Sequence, residues 1–161
     1  MSLEALNSSC PYRSAAVPSC SENGCHIRMN GAAKFTILKG EIVRDVFLDL
    51  RKMKNRGIKA VDYILIRNTD LCFEFFLLEM SITLHKRSDL ISKFENSLNH
   101  VDNIICCKQE RMNKFKVKLF VAFRKVANPS QFQVVFRGTK IKFRGKELLL
   151  RNARCNEYLD L

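Results

Sequence analysis

No stretch of about 18 consecutive apolar residues occurs in this chain, and no basic segment leading into an apolar run opens it. Neither a membrane span nor a signal peptide is therefore expected. The Gly-x-x-x-x-Gly-Lys-Ser/Thr loop and the Gly-x-Gly-x-x-Gly turn are both missing, which argues against ordinary nucleotide or dinucleotide binding. Gly-x-Ser-x-Gly is missing too, and no histidine is spaced to serve a cysteine nucleophile: Cys25-His26 is adjacency without geometry, and His85 and His100 stand alone. There is no internal repeat and no low-complexity tract. Acidic residues are the scarcest feature of one region, where residues 108 to 154 hold only Glu110 and Glu147.

That same region holds fourteen lysines and arginines, so its excess of twelve positive charges matches the +12 of the whole 161-residue chain. The remainder is neutral overall. A surface of this kind favours an anionic polymer through long-range attraction and counterion release. The 47% of apolar residues is enough for one domain to bury a core without help from disulfides or metals. Seven cysteines is an odd number, and Cys72, Cys106 and Cys107 lie in apolar segments where a thiol behaves as a small hydrophobe. A reducing, cytoplasmic setting is the simpler expectation.

Residues 1–34 carry turn and breaker chemistry, as in Asn7-Ser8-Ser9-Cys10-Pro11 and Pro18 to Gly24, and read as an irregular cysteine-containing arm ahead of a single domain over 35–161. Cys10, Cys20, Cys25 and His26 are the right residue types for zinc, but they lack a close Cys-x-x-Cys knuckle. A bland arm with free thiols is the other reading. Apolar positions Ile42, Val43, Val46, Phe47, Leu50 and Met53 predict an amphipathic helix over 41–53, stopped by Asn55-Arg56-Gly57. Residues 60–66 and 71–81 predict an antiparallel hairpin, the second strand apolar enough for a central position. Ser88 caps a second predicted helix bearing Leu90, Ile91, Phe94, Leu98, Val101, Ile104 and Ile105. Strands are expected over 115–126 and 147–152, with a short helix within 129–142.

Asp62 opens one apolar strand and Glu79 closes the next. Carboxylates are rarely buried alone, so both are expected at an edge or in a shared polar pocket; if the hairpin is short and tight, they could share a divalent ion that cancels their repulsion. The two-residue period of a strand puts Phe73, Phe75, Leu77, Glu79 and Ser81 on one face. This pattern, Asp62 followed by a hairpin, Glu79-x-Ser81, a helix and a strand, resembles the PD-(D/E)XK restriction-endonuclease-like superfamily over about residues 40–161. The resemblance implies an α/β fold with a three-layer core, a central mixed β-sheet flanked by helices. It implies that Asp62 and Glu79 hold Mg²⁺, with Glu41 where many members place a further acid. One departure is plain. The superfamily has lysine where this chain has Ser81, and a neutral hydroxyl cannot stabilise developing anionic charge as an ammonium does. Lys93 on the following helix is the expected substitute, with Lys86 a second candidate; the bland reading makes Lys93 part of a solvated helix face.

The basic third supplies Lys114, Lys116, Lys118, Arg137, Lys140, Lys142, Arg144 and Lys146 as candidate phosphate contacts, with phenylalanines among them able to stack on bases or, more commonly, to form core. The expectation is a nucleic-acid-binding protein, acting on DNA or RNA, that hydrolyses phosphodiester bonds with Mg²⁺. Its alternatives are an inactive binding module on the same fold, in which Ser81 records the loss of activity, and an interaction protein whose basic face docks an acidic partner chain.

Overall fold

A computed structural model describes residues 6, 8–29, 35–81, 86–106, 114–123 and 136–159. The side chain of Ser81 and the first half of the segment expected to be helical within 129–142 lie outside the described part, as does His85.

The amphipathic period between residues 41 and 53 becomes helix α1 (Gly40–Leu50), which buries Val43 and Leu48. It stops short of the glycine at 57 because Lys52 takes a left-handed φ of 52° and Met53 N–H closes back onto the Leu48 carbonyl at 2.9 Å. A residue in that conformation satisfies orphan carbonyls as effectively as a terminal glycine does. The expected hairpin is β5 (Tyr63–Asn68) and β6 (Phe73–Ser81), antiparallel with Tyr63 opposite Leu78. Helix α2 (Arg87–Cys106) then crosses over to β7 (Phe115–Phe123), which lies parallel to β6 with Glu79 beside Val121. Beyond it come β8 (Lys140–Phe143) and β9 (Lys146–Arg154), an antiparallel pair whose second strand runs parallel to β7.

Residues 1–34 contribute more to the fold than their breaker composition implies. Their described part forms a 3₁₀ turn (Pro11–Ala15) and strands β1 (Ala16–Val17), β2 (Cys20–Glu22) and β3 (Cys25–Ile27). The strand β4 (Phe35–Lys39), which sequence periodicity does not reveal, pairs with β1 on one side and β5 on the other. The result is a mixed seven-stranded sheet in the order β1-β4-β5-β6-β7-β9-β8, with β2 and β3 as a separate hairpin.

Among the described residues, both helices pack on one face of the sheet, over Ile64, Ile66, Phe75, Leu77, Leu119 and Val121. The opposite face, with Tyr63, Leu65, Phe76, Leu78 and Phe120, is covered by Cys20, Cys25 and Ile27 of the small hairpin and by Leu159. The layers are therefore helix, sheet and hairpin. A disulfide between Cys25 and Cys155 joins that hairpin to the end of β9. This corrects the expectation of free thiols at Cys25 and removes it from the Cys10, Cys20, Cys25, His26 quartet. Cys10 and Cys20 are buried thiols, the latter pushed up to about 12 by burial. No helix among the described residues is long and apolar enough to cross a membrane.

His100 of α2 is 1% exposed, packs at a tilt against Phe47 with ring centroids 4.8 Å apart, and its Nδ1 has no hydrogen-bond partner among the described residues. Burial, aided by the nearby Arg44 charge, lowers its pKa from 6.5 to about 4. A histidine held neutral in this way contributes stability that is complete above pH 6.5 and is lost as pH falls toward 4. The expected loss is about 3 kcal/mol, and His100→Phe should flatten the stability profile across that window in urea titrations. An equally steep profile in the variant would show that other groups carry the acid sensitivity.

Candidate active site

Three elements bring Asp62, Glu79 and Lys93 together. Continuation of the β5–β6 register places Asp62 across from Glu79, and the two residues are cross-linked through backbone: Met80 N–H donates to Asp62 Oδ2 at 2.7 Å, while the Asp62 N–H is directed at the Glu79 carboxylate. Glu79 belongs to the same strand face as Phe75 and Leu77, the face that α2 covers. There the Lys93 ammonium forms an ion pair with Glu79 Oε1. The glutamate is 1% exposed and the lysine side chain 18% exposed, so the acid is sealed while the base reaches open space.

The segment leading into Asp62 is fixed from two sides. On one, α2 supplies the buried Ser97 hydroxyl, which accepts the Val61 N–H at 2.9 Å, and Asn96, which donates to the Lys59 carbonyl at 3.1 Å. On the other, Gly40 at the start of α1 donates its N–H to the Asp62 carbonyl at 2.8 Å. A Cβ at Gly40 would stand 1.8 Å from the Val61 carbonyl oxygen. Only glycine permits this approach. Gly40→Ala is expected to cost at least about 2 kcal/mol, because rigid backbone rather than a flexible side chain must yield. Its thermal unfolding would check this, and an unchanged midpoint would show that α1 can withdraw freely.

The electrostatics follow from the packing. Burial, reinforced by the Asp62 charge, raises the Glu79 carboxyl from 4.5 to about 7, although Lys93 pulls the other way. Burial likewise raises Asp62, against the Met80 N–H and the Lys93 charge. Two acids in one desolvated place resist being ionised together.

Asp62 and Lys93, in front of the sealed Glu79, open onto a cleft of about 220 Å³ whose walls also include Glu22, Lys39, Glu41, Arg44 and Lys59. Glu41 is exposed at the start of α1. Lys39, at the end of β4, is ion-paired with Glu22 and donates to the Tyr63 hydroxyl at 3.3 Å, while that hydroxyl donates to the Ser21 carbonyl at 2.8 Å. Lys39, Arg44, Lys59 and Glu22 were not singled out by the sequence, since they come from separate elements with no common motif. Lys86 is exposed just ahead of α2; the lysine that meets the acids is Lys93. Mg²⁺ commonly takes one or two carboxylates with water and phosphate completing its shell; of the two expected ligands only Asp62 lies on the cleft wall, and Glu79 sits behind Lys93. Among the described residues no group of three or more His, Cys, Asp or Glu side chains is gathered for a metal.

The candidate phosphate contacts divide. In the parallel β6–β7 register Lys116 lies beside Glu74 and Lys118 beside Phe76, which puts both on the face away from α2. Lys140 and Lys142 alternate with Ile141 and Phe143, which pack toward α2, and so face the same way as Lys116 and Lys118. Lys114 and Arg137 are exposed at the ends of β7 and β8, and Lys140 is paired with Glu147 at 2.6 Å. Arg144 and Lys146 flank the turn between β8 and β9, where Arg144 bonds Asp102 at 2.6 Å. None of the eight lines the cleft at Asp62.

Comparison with protein-family models, with curated proteins and with solved structures finds no match for this chain.

Proposed function

We propose that the cleft is the active centre of a Mg²⁺-dependent nuclease of the PD-(D/E)XK kind, hydrolysing phosphodiester bonds in nucleic acid. The observation that carries this reading is the Lys93 ammonium, which is ion-paired with Glu79 beside Asp62 on the wall of a polar cleft. An ammonium there does what Ser81 cannot, although it arrives from α2 instead of from two residues after the glutamate.

Asp62 and Glu79 would hold the metal, which when bound supplies positive charge to offset both carboxylates and the incoming phosphodiester. The chain's own residues do the rest. Backbone bonds between β5 and β6 hold the two acids in place before substrate arrives, so little reorganisation is needed. Lys93, ion-paired with Glu79, lies on the cleft wall, where its N–H groups can orient an attacking water and stabilise anionic charge developing on the phosphoryl oxygens. Lys39, Arg44 and Lys59 add positive field for an anionic substrate.

The test is cleavage of labelled single-stranded and duplex DNA and RNA with Mg²⁺ and with EDTA. Cleavage should require the metal and disappear in Glu79→Gln. Undiminished cutting by that variant would remove the site. Binding without any metal-dependent cutting would instead favour the inactive module, a reading to which the basic sheet face remote from the acids lends weight.

A further inference from the structure

A second cleft, of about 200 Å³, lies where β7 begins beside the turn between β8 and β9. Its lining is of mixed chemistry: Phe115, Val117, Phe143 and Leu148 are apolar, and Lys116, Arg144 and Lys146 are cationic. The Arg144 guanidinium sits 4.9 Å from the Phe115 ring centroid and 5.9 Å from that of Phe143, and the two rings meet edge-on at 6.1 Å. Its Nε donates to Asp102 of α2 at 2.6 Å, which fixes the guanidinium plane over the rings. The turn places Arg144 at φ 46° and Gly145 at φ 75°, a tight hairpin that brings Arg144 and Lys146 to the same rim.

We infer that this cleft takes one unpaired base of a nucleic-acid strand, stacked on Arg144 where it covers Phe115 and Phe143, with a flanking phosphate on Lys146. The inference rests on the nucleic-acid reading above and narrows it to a single-stranded ligand. Three features favour that occupant. The cations surround an aromatic floor, whereas a duplex backbone needs only charge and an apolar peptide needs none of it. The volume falls below the roughly 300 Å³ at which sites for whole drug-sized ligands begin, which suits a single ring system. A planar guanidinium held over two rings, on a side chain that is 43% exposed, keeps its outer face for a base.

The position matters as much as the chemistry. In the β6–β7 register Phe73 pairs with Phe115 and Glu79 with Val121, so six residues of strand separate this cleft from the acids. At about 3.3 Å per residue that is roughly 20 Å, or about six nucleotides of a stacked strand at 3.4 Å each. The second cleft therefore holds a strand without touching the bond at Asp62.

Fluorescence anisotropy with a labelled twelve-residue oligothymidylate in EDTA tests this, with the same strand annealed to its complement as the comparison. The single strand should bind at least tenfold more tightly than the duplex. Phe115→Leu, which keeps the packing but removes the ring, should weaken single-strand binding roughly tenfold and leave duplex binding unchanged. Phe115 also serves the core, so Arg144→Gln provides a surface variant with the same expected direction. Equal binding of both forms, or indifference to both variants, would overturn the inference. So would failure to bind the oligonucleotide together with capture of poly-glutamate, which would assign the cleft to an acidic protein. With no divalent metal present, a flat result leaves the cleavage reading standing, and inactive acids leave this cleft standing.

Discussion

Glu79→Gln and Lys93→Ala are both expected to reduce phosphodiester cleavage by at least about a hundredfold, yet to move stability in opposite directions. The reason lies in which partner is sealed. Glu79 is 1% exposed and shares its place with Asp62; its carboxyl titrates at about 7 against 4.5 when free. A native pKa above the unfolded one means that the folded chain holds the proton more firmly, so stability falls as pH rises from 4.5 through 7. The fall is on the order of 2–3 kcal/mol, and Glu79→Gln, which cannot ionise, should escape it. At pH 8 that variant should be inactive and more stable than the parent. Lys93, by contrast, can turn its partly exposed ammonium to water, but its removal leaves the buried Glu79 and the half-buried Asp62 without their cation. That defect is expected to cost up to about 3–5 kcal/mol at pH 8 and much less at pH 5, where Glu79 takes up a proton. Urea unfolding of both variants at the two pH values decides the matter. If Lys93→Ala were as stable as the parent at pH 8, the ammonium would not be holding the acids.

Reduction of the Cys25–Cys155 bridge carries the second large effect. The bridge closes a loop of 130 residues. Confining so long a chain removes unfolded-state entropy worth about 5 kcal/mol at room temperature. Dithiothreitol should therefore lower the unfolding midpoint sharply, and Cys25→Ser should start from the lowered value and ignore the reductant. The consequence extends to the cleft, because Cys25 is the register partner of Glu22, which holds Lys39. A reductant-insensitive midpoint in the parent protein would show that the small hairpin stays docked through Cys20 and Ile27 alone.

The elements legible in the sequence were those long enough to show a period. Helices α1 and α2 declare themselves through apolar residues every three or four positions, and β5, β6 and β7 through β-branched and aromatic runs. Strands β1, β2 and β3 have two or three residues each, too few for any periodicity, and their pairing is decided by tertiary contacts. Strand β8 is different, since Lys140-Ile141-Lys142-Phe143 followed by Arg144-Gly145 is an alternating strand entering a hairpin turn, a signal that an expected helix obscured. In the site, Asp62 and Glu79 follow from strand ends and Lys93 from the helix after them. The remaining walls do not. Lys39, Arg44 and Lys59 converge only because Gly40 lets α1 lie against Val61. The charge excess of the last third was equally plain, but its division between one sheet face and a distant cleft depends on the parity of each strand position.

The two outer strands of the sheet have a consequence for how the protein behaves in concentrated solution. β1 offers a neighbour only two residues of unpaired backbone, and β8 carries exposed Lys140 and Lys142 along the other margin. A short margin and a charged one are both poor templates for strand addition by another molecule. Among the described residues neither margin of this largely apolar sheet invites strand addition, and the lysines of β8 would serve as gatekeepers against it whatever else they bind.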